Sequence, residues 1–193
     1  MSRGRRRIAA GSCLAAALCA GAAAGQERPY EGQEARDIAA LSEADLAALR
    51  AGEGWGLAIS AELNGYPGPR HVLDHAKALD LSPDQRGRVE AIFARMEARA
   101  RARGADYIEA EAALDAAFEA GGLDADRLAA LTAEADARRG DLRRTHLAAH
   151  LETRALLSRH QIMTYDRLRG YGAGGDHGAG GHQGHGAERG ESR

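Results

Sequence analysis

Apolar side chains recur at three- and four-residue intervals along most of the chain, which is the period of an amphipathic helix. Two long helices are predicted, from Ser82 to about Ala120 and from Asp124 to about Leu156. One face of the first carries Val89, Ile92, Phe93, Met96, Tyr107, Leu114 and Phe118. The second carries Leu128, Leu131, Leu142, Leu147, Leu151 and Leu156. No run alternates with the period of a strand. We therefore predict an all-α fold, a long helical hairpin with shorter flanking helices.

Capping residues predict where the long helices begin and end. Ser82 followed by Pro83 and Gln85 is a capping box with proline at the first helical position, and Ser158 with Gln161 repeats it. A last helix is expected from that second box to about Arg169. Gly121 and Gly122 end the first long helix, and Asp124 caps the second. Gly104 is a weak point that the first long helix tolerates.

Shorter helices precede the hairpin. Apolar spacing predicts a helix from Glu34 to Arg50, and glycines at 52, 54 and 56 interrupt it. A short helical piece is expected from Leu57 to Leu63, followed by a turn rich in glycine and proline. Pro69 then starts a helix over His71 to Leu79.

The first 24 residues have the parts of a secretory signal peptide, namely a cationic head, a short apolar run and small residues at its end. Cleavage is expected after Ala24, with Ala22 as the second possibility, and the alternative is an uncleaved membrane anchor. Export places the protein in the periplasm. Cys13 and Cys19 both lie in this segment, so the mature protein has no disulfide and no thiolate site.

Composition limits the class of protein. Losing the signal-peptide arginines leaves 22 basic residues against 28 acids, which disfavours nonspecific binding to nucleic acid. Aromatic residues are 4% of the chain. The core is therefore thin, and long helices that pair with a second copy are favoured over a compact monomer. No phosphate-binding loop, nucleophile elbow or zinc-protease motif is present, so we expect neither a nucleotide site nor enzymatic activity.

Seven histidines are candidate metal ligands. His71 and His75, and likewise His146 and His150, are four apart on predicted helices, so the two imidazoles of each pair share a face. Spacing puts His146 and His150 at the border of the apolar face, beside the stripe of Leu147 and Leu151. Each pair alone is better explained by hydrogen bonds to a neighbouring helix, because a zinc site needs three or four ligands.

The last 22 residues are rich in glycine and contain His177, His182 and His185. Such a segment is expected to be disordered unless a ligand orders it. Imidazole suits zinc, copper and nickel, so the tail is either a metal-binding segment or a solubilising one.

The two copies of Leu-Ser-x-x-Gln, at residues 81–85 and 157–161, resemble the LTxxQ pattern of the Spy/CpxP family, which includes periplasmic heavy-metal sensors. The resemblance covers about residues 70–171, after the signal peptide (1–24) and a leader with short helices (25–69), and before the tail (172–193). It implies a homodimer of helical hairpins. It also implies ATP-independent, chaperone-like binding of unfolded envelope proteins or of a membrane sensor protein. The alternative is a sensor or buffer for zinc, copper or nickel that uses the tail and the helical histidines, with no cofactor required otherwise. A structural envelope protein is the third possibility.

Overall fold

The computed structural model describes residues 30–171. Within that range the chain forms six α-helices and no β-strand, so the all-α prediction is confirmed. They are α1 (Glu43–Ala51), α2 (Ile59–Glu62), α3 (Pro69–Asp74), α4 (Pro83–Ala120), α5 (Ala125–Leu156) and α6 (Arg159–Leu168). None of the helices in this part of the chain is long and apolar enough to cross a membrane. The predicted signal peptide and the histidine-rich tail lie outside the described residues.

The predicted capping residues do set the ends of the hairpin. The side chains of Ser82 and Ser158 each accept a hydrogen bond from the backbone N–H of the glutamine three residues later, and the side-chain oxygen of that glutamine accepts one from the serine backbone N–H. Asp124 caps α5 through the Arg127 N–H. These caps satisfy N–H groups that the first turn of a helix leaves without partners, and each stabilises its helix by about 1 kcal/mol.

The two Leu-Ser-x-x-Gln segments meet in space. The side-chain amides of Gln85 and Gln161 bond each other, with nitrogen–oxygen distances of 2.9 and 3.1 Å. Gln85 also donates to the Leu156 carbonyl and Gln161 to the Leu79 carbonyl. The start of α4 is thus joined to the end of α5 and the start of α6.

The region before the hairpin packs on it. Leu46 and Leu49 of α1 are buried against Ala100 and Tyr107 of α4 and Leu142 of α5. The backbone of α1 comes so close to α4 that a Cβ on Gly104 would lie 2.4 Å from the Leu49 carbonyl oxygen. Gly104, expected to be only a tolerated weak point, is the residue that lets the two helices touch.

Two helix boundaries were predicted wrongly. The first helix begins at Glu43 and not at Glu34, because Ser42 and Asp45 form a capping box that starts it there. Ile38 and Leu41, whose spacing suggested a longer helix, lie at a turn and bury their side chains there. The helix expected to reach Leu79 ends at Asp74, and the residues after it form turns.

The apolar faces of the long helices are only partly buried. Val89, Ile92 and Tyr107 are in the core, whereas Phe118 at the hairpin tip is 60% exposed. In the described part of the chain, α1 and α3 pack against the half of the hairpin away from this tip.

Candidate functional site

The buried stripe of α5 contains both of its paired histidines. Leu142, His146, His150 and Thr153 are all buried, and their spacing places them on one face. Leu151, from the neighbouring stripe, is 59% exposed. The prediction that the histidines lie at the border of the apolar face is therefore wrong. They face the inside of the molecule because α1 and the turn before α3 cover this side of the hairpin.

His146 is the least satisfied polar residue of this stripe. The residue is 2% exposed, and its Nε2 atom has no hydrogen-bond partner among the residues that the structure describes. Burial lowers the pKa of the imidazole below its ordinary value, and the nearby His150 lowers it further. The ring is therefore neutral at physiological pH, the state in which imidazole binds a metal.

His150, one turn further along α5, is held by the turn before α3. Its Nδ1 lies 2.7 Å from the Tyr66 carbonyl oxygen. A carbonyl can only accept, so Nδ1 carries a proton, and the tautomer that this bond selects has its lone pair on Nε2. A Cβ on Gly68 would lie 3.0 Å from that Nε2 and 2.8 Å from the adjacent ring carbon, so only glycine leaves room for the imidazole.

Arg154 fixes the turn that contacts His150. Its Nε donates to the Gly65 carbonyl at 2.9 Å, and its guanidinium lies 4.6 Å from the centre of the Tyr66 ring. Both contacts come from one arginine a turn beyond His150, so the same helix positions the histidine and the loop to which it bonds.

The two histidines line a cavity of about 500 Å³ between α4, α5, the end of α1 and the start of α3. This volume is typical of a small-ligand site. The polar and polarisable side chains in its wall, beside the two histidines, are Glu53, Arg70, His71, Met96, Glu97 and Arg101. The cavity therefore brings together imidazole, thioether and carboxylate groups from α3, α4, α5 and the segment after α1.

A family model described as heavy-metal resistance matches residues 56–163, which is more than half of the chain and includes every helix that lines the cavity apart from α1. The chain belongs to the heavy-metal resistance family. That family is part of the Spy/CpxP-like group of helical periplasmic proteins, so the predicted resemblance is confirmed at the level of the group. Neither the curated proteins nor the solved structures include a match.

In this member of the heavy-metal resistance family the predicted pair of His71 and His75 is split. His71 lines the cavity, and its Nδ1 lies 3.4 Å from the Asp74 carboxylate. His75 instead packs edge-on against the ring of Tyr165, with the ring centres 6.4 Å apart. The helix α3 ends at Asp74, so the two side chains do not stay on one helical face.

The side chains of the cavity fit a metal ion in part. An unpartnered buried Nε2 on His146 and a lone pair on His150 Nε2 are suitable donors for zinc, copper or nickel. Within residues 30–171, however, no three His, Cys, Asp or Glu side chains are grouped closely enough to hold an ion as they stand. A bound ion would need a further ligand brought in by movement. The tail histidines at 177, 182 and 185 lie outside the described residues.

A buried charged residue with several partners, Glu62, was not among the predicted site residues. Glu62 is 9% exposed at the end of α2, while the neighbouring Leu63 is 59% exposed. Its carboxylate accepts hydrogen bonds from the Tyr165 and Tyr171 hydroxyls. It also pairs with Arg169, whose Nε lies 3.3 Å away. No local signal marks it, because a glutamate beside a leucine in a short helix is expected to be the exposed one of the two.

Proposed function

We propose that this heavy-metal resistance protein binds a transition-metal ion in the cavity beside His146. The observation that carries the proposal is the buried His146 Nε2, which has no hydrogen-bond partner among the described residues and belongs to a side chain in the wall of a cavity of ligand size. Leaving such an atom unpaired costs about 1–3 kcal/mol, and a metal ion would recover that cost. The description of the matched family, heavy-metal resistance, supports the same role.

His146 and His150 would hold the ion through Nε2. Both project from the buried face of α5, one turn apart. His71, whose side chain is 41% exposed and therefore able to turn, is the remaining imidazole in the wall of the cavity. Binding would join α5 to the start of α3. The bound ion would thereby favour one arrangement of the helices, and a partner protein would recognise that arrangement.

The place of action that we propose is the periplasm, after export through residues 1–24. The ion is cargo or signal here and takes part in no reaction, so the proposed role is binding and not catalysis. His177, His182 and His185 of the tail would add weaker sites, because ordering a glycine-rich segment costs conformational entropy.

Calorimetric titration of the mature chain with zinc, copper and nickel tests the proposal. Three further proteins are titrated in parallel, namely His146→Leu, a full-length variant with the three tail histidines changed to Gln, and the control His160→Gln. His160 is exposed on α6 and away from the cavity.

We expect binding that the tail variant and the control retain and that His146→Leu loses. Binding that survives in His146→Leu and disappears with the tail histidines would place the metal site in the tail and contradict the cavity. No binding of any of the three metals by the unmodified chain would contradict a metal-binding role altogether.

We also propose a second function, chaperone-like binding, which a separate observation supports, namely the exposure of large apolar side chains. Ile59, Leu63, Leu151 and Met163 are each more than half exposed, although all are large apolar residues. Exposed apolar side chains on a charged surface suit weak and reversible contact with unfolded envelope proteins, or with a membrane sensor protein or a second copy.

Light scattering of a reduced, aggregating client separates this function from metal binding. Suppression of aggregation that Leu151→Glu weakens and His146→Leu leaves intact would support the chaperone-like role. Equal aggregation with and without the protein would contradict it.

A further inference from the structure

Glu62 joins the C-terminal end of the described chain to the cavity, with one carboxylate oxygen on each side. On Oε1 it accepts from the Tyr165 hydroxyl and from the Tyr171 hydroxyl at 3.4 Å. The Arg169 Nε lies 3.3 Å from the same oxygen, an ion pair without the alignment of a hydrogen bond. Three residues of the C-terminal segment, defined here as residues 165–171, thus meet at one atom.

The other oxygen faces the site. Oε2 accepts from the Gly68 N–H at 3.2 Å and lies 3.7 Å from His150 Nδ1. The same Nδ1 donates to the Tyr66 carbonyl. Glu62 therefore supplies negative charge behind the proton of the His150 ring, on the side opposite the lone pair that a metal would use.

The contacts of both carboxylate oxygens depend on the negative charge of Glu62. A buried carboxylate is stable only when it is paired and hydrogen-bonded, and the C-terminal segment supplies Arg169 and two hydroxyls. Partners of this kind, behind a metal-binding imidazole, fix its tautomer and raise its basicity. A cation on Nε2 would draw electron density from the ring and so strengthen the attraction of Nδ1–H to the carboxylate.

We propose that Glu62 is the positioning residue of the cavity, and that through it metal binding and docking of the C-terminal segment strengthen each other. The inference rests on the proposed metal-binding function. Linkage is reciprocal, so a change in the segment must alter the affinity for metal, although the segment forms no part of the cavity wall.

The test uses full-length protein in which the three tail histidines are changed to Gln, so that only the cavity remains to bind zinc. Zinc affinity is measured by calorimetry, and hydrogen exchange is followed on peptides covering residues 165–171 with and without zinc. The variants are Glu62→Gln, Glu62→Asp, Tyr171→Phe and Arg167→Gln. Tyr171→Phe removes one hydroxyl at the end of the described chain and keeps the ring. Arg167 is the matched control, because it is exposed and, within residues 30–171, its side chain bonds only to residues of its own helix.

We expect zinc to slow exchange in residues 165–171 of the unmodified segment and not in Glu62→Gln. Glu62→Gln should weaken zinc binding about 10–100-fold, with partial rescue by Glu62→Asp. Tyr171→Phe should weaken it about 5-fold or more, at the low end of typical coupling, whereas Arg167→Gln leaves it unchanged.

Two outcomes overturn the proposal and can be told apart. Zinc binding that is equal in all the variants, with unchanged exchange in the segment, removes the linkage and leaves the proposed function intact. Absence of zinc binding by the protein in which Glu62 and Tyr171 are unchanged would contradict both the linkage and the proposed metal-binding function. Where Glu62→Gln fails to fold, Tyr171→Phe and the exchange measurement decide alone.

Discussion

At the scale of single residues, His146 combines burial, a free ring nitrogen and a place beside the cavity. A leucine would fill a similar volume without a polar atom to satisfy. An unpaired buried polar atom is expected to persist in a protein where it has a task, because most replacements would remove its cost.

The first prediction concerns the stability of His146→Leu. The variant should raise the free energy of unfolding by about 1–3 kcal/mol, since it removes the unpaired Nε2 from the core. Urea unfolding followed by circular dichroism measures the change, and His160→Leu, on the exposed face of α6, serves as control. A loss of stability in His146→Leu would show that the imidazole has a partner or packing role that leucine cannot replace.

The second prediction concerns pH. Burial, and then His150, lower the pKa of His146 below the value of 6.5 that it has when unfolded, so the unfolded chain binds the proton more readily. The contribution of this neutral imidazole to the free energy of unfolding is therefore fully present above pH 6.5. That contribution is lost as the pH falls from 6.5 through the pKa of the folded state. Thermal unfolding between pH 7.5 and 5 should show this decline, and His146→Leu should show a shallower one. Parallel curves for the two proteins would exclude His146 as its source.

At the scale of elements, close approach of α1 to α4 depends on Gly104. The third prediction is that Gly104→Ala destabilises the fold by about 1–3 kcal/mol, because the new methyl group would meet the Leu49 carbonyl. Gly140→Ala is the matched control, a helical glycine with open space around its Cβ position, and it should stabilise by about 0.5–1 kcal/mol. Chemical unfolding of both variants measures the difference. The same sign for both would mean that α1 shifts to accept the methyl group.

The sequence predicted the ends of the helices more accurately than it predicted which distant residues come into contact. The boxes at Ser82 and Ser158 and the cap at Asp124 act within four residues, so local sequence is enough to locate them. The start of α1 was missed because the apolar spacing before Ser42 was assigned to the helix. The joining of Gln85 to Gln161 could not be predicted, since those residues are 76 positions apart.

At the scale of the whole molecule, the helical fold and the proposed cavity site both lie within residues 30–171, whereas the tail would add only weaker metal sites. Residues 30–171 contain both core clusters, and the tail follows Tyr171. The fourth prediction is that a chain ending at Tyr171 keeps its unfolding midpoint and its cavity site but binds fewer metal ions. Calorimetry of both lengths gives the stoichiometry. A lower unfolding midpoint in the shorter chain would mean that the tail packs on the hairpin.

The homodimer stays a prediction, and equilibrium sedimentation of the mature chain addresses it. Exposed Phe118 and Leu128 near the hairpin tip are apolar side chains that a second copy could cover. A monomer at all concentrations would contradict the pairing expected from the thin core.

The sequence by itself determined that the chain is helical, where the long helices start and stop, and that His146 and His150 share a face. Those properties follow from local rules of spacing and capping. Only the tertiary structure decided that this face is the buried one, that His71 reaches the cavity while His75 does not, and that Glu62 joins the cavity to Arg169 and Tyr171. The physical reason is that burial depends on which distant segments cover a helix: the carbonyl of Tyr66, which orients His150, comes from 84 positions earlier in the chain.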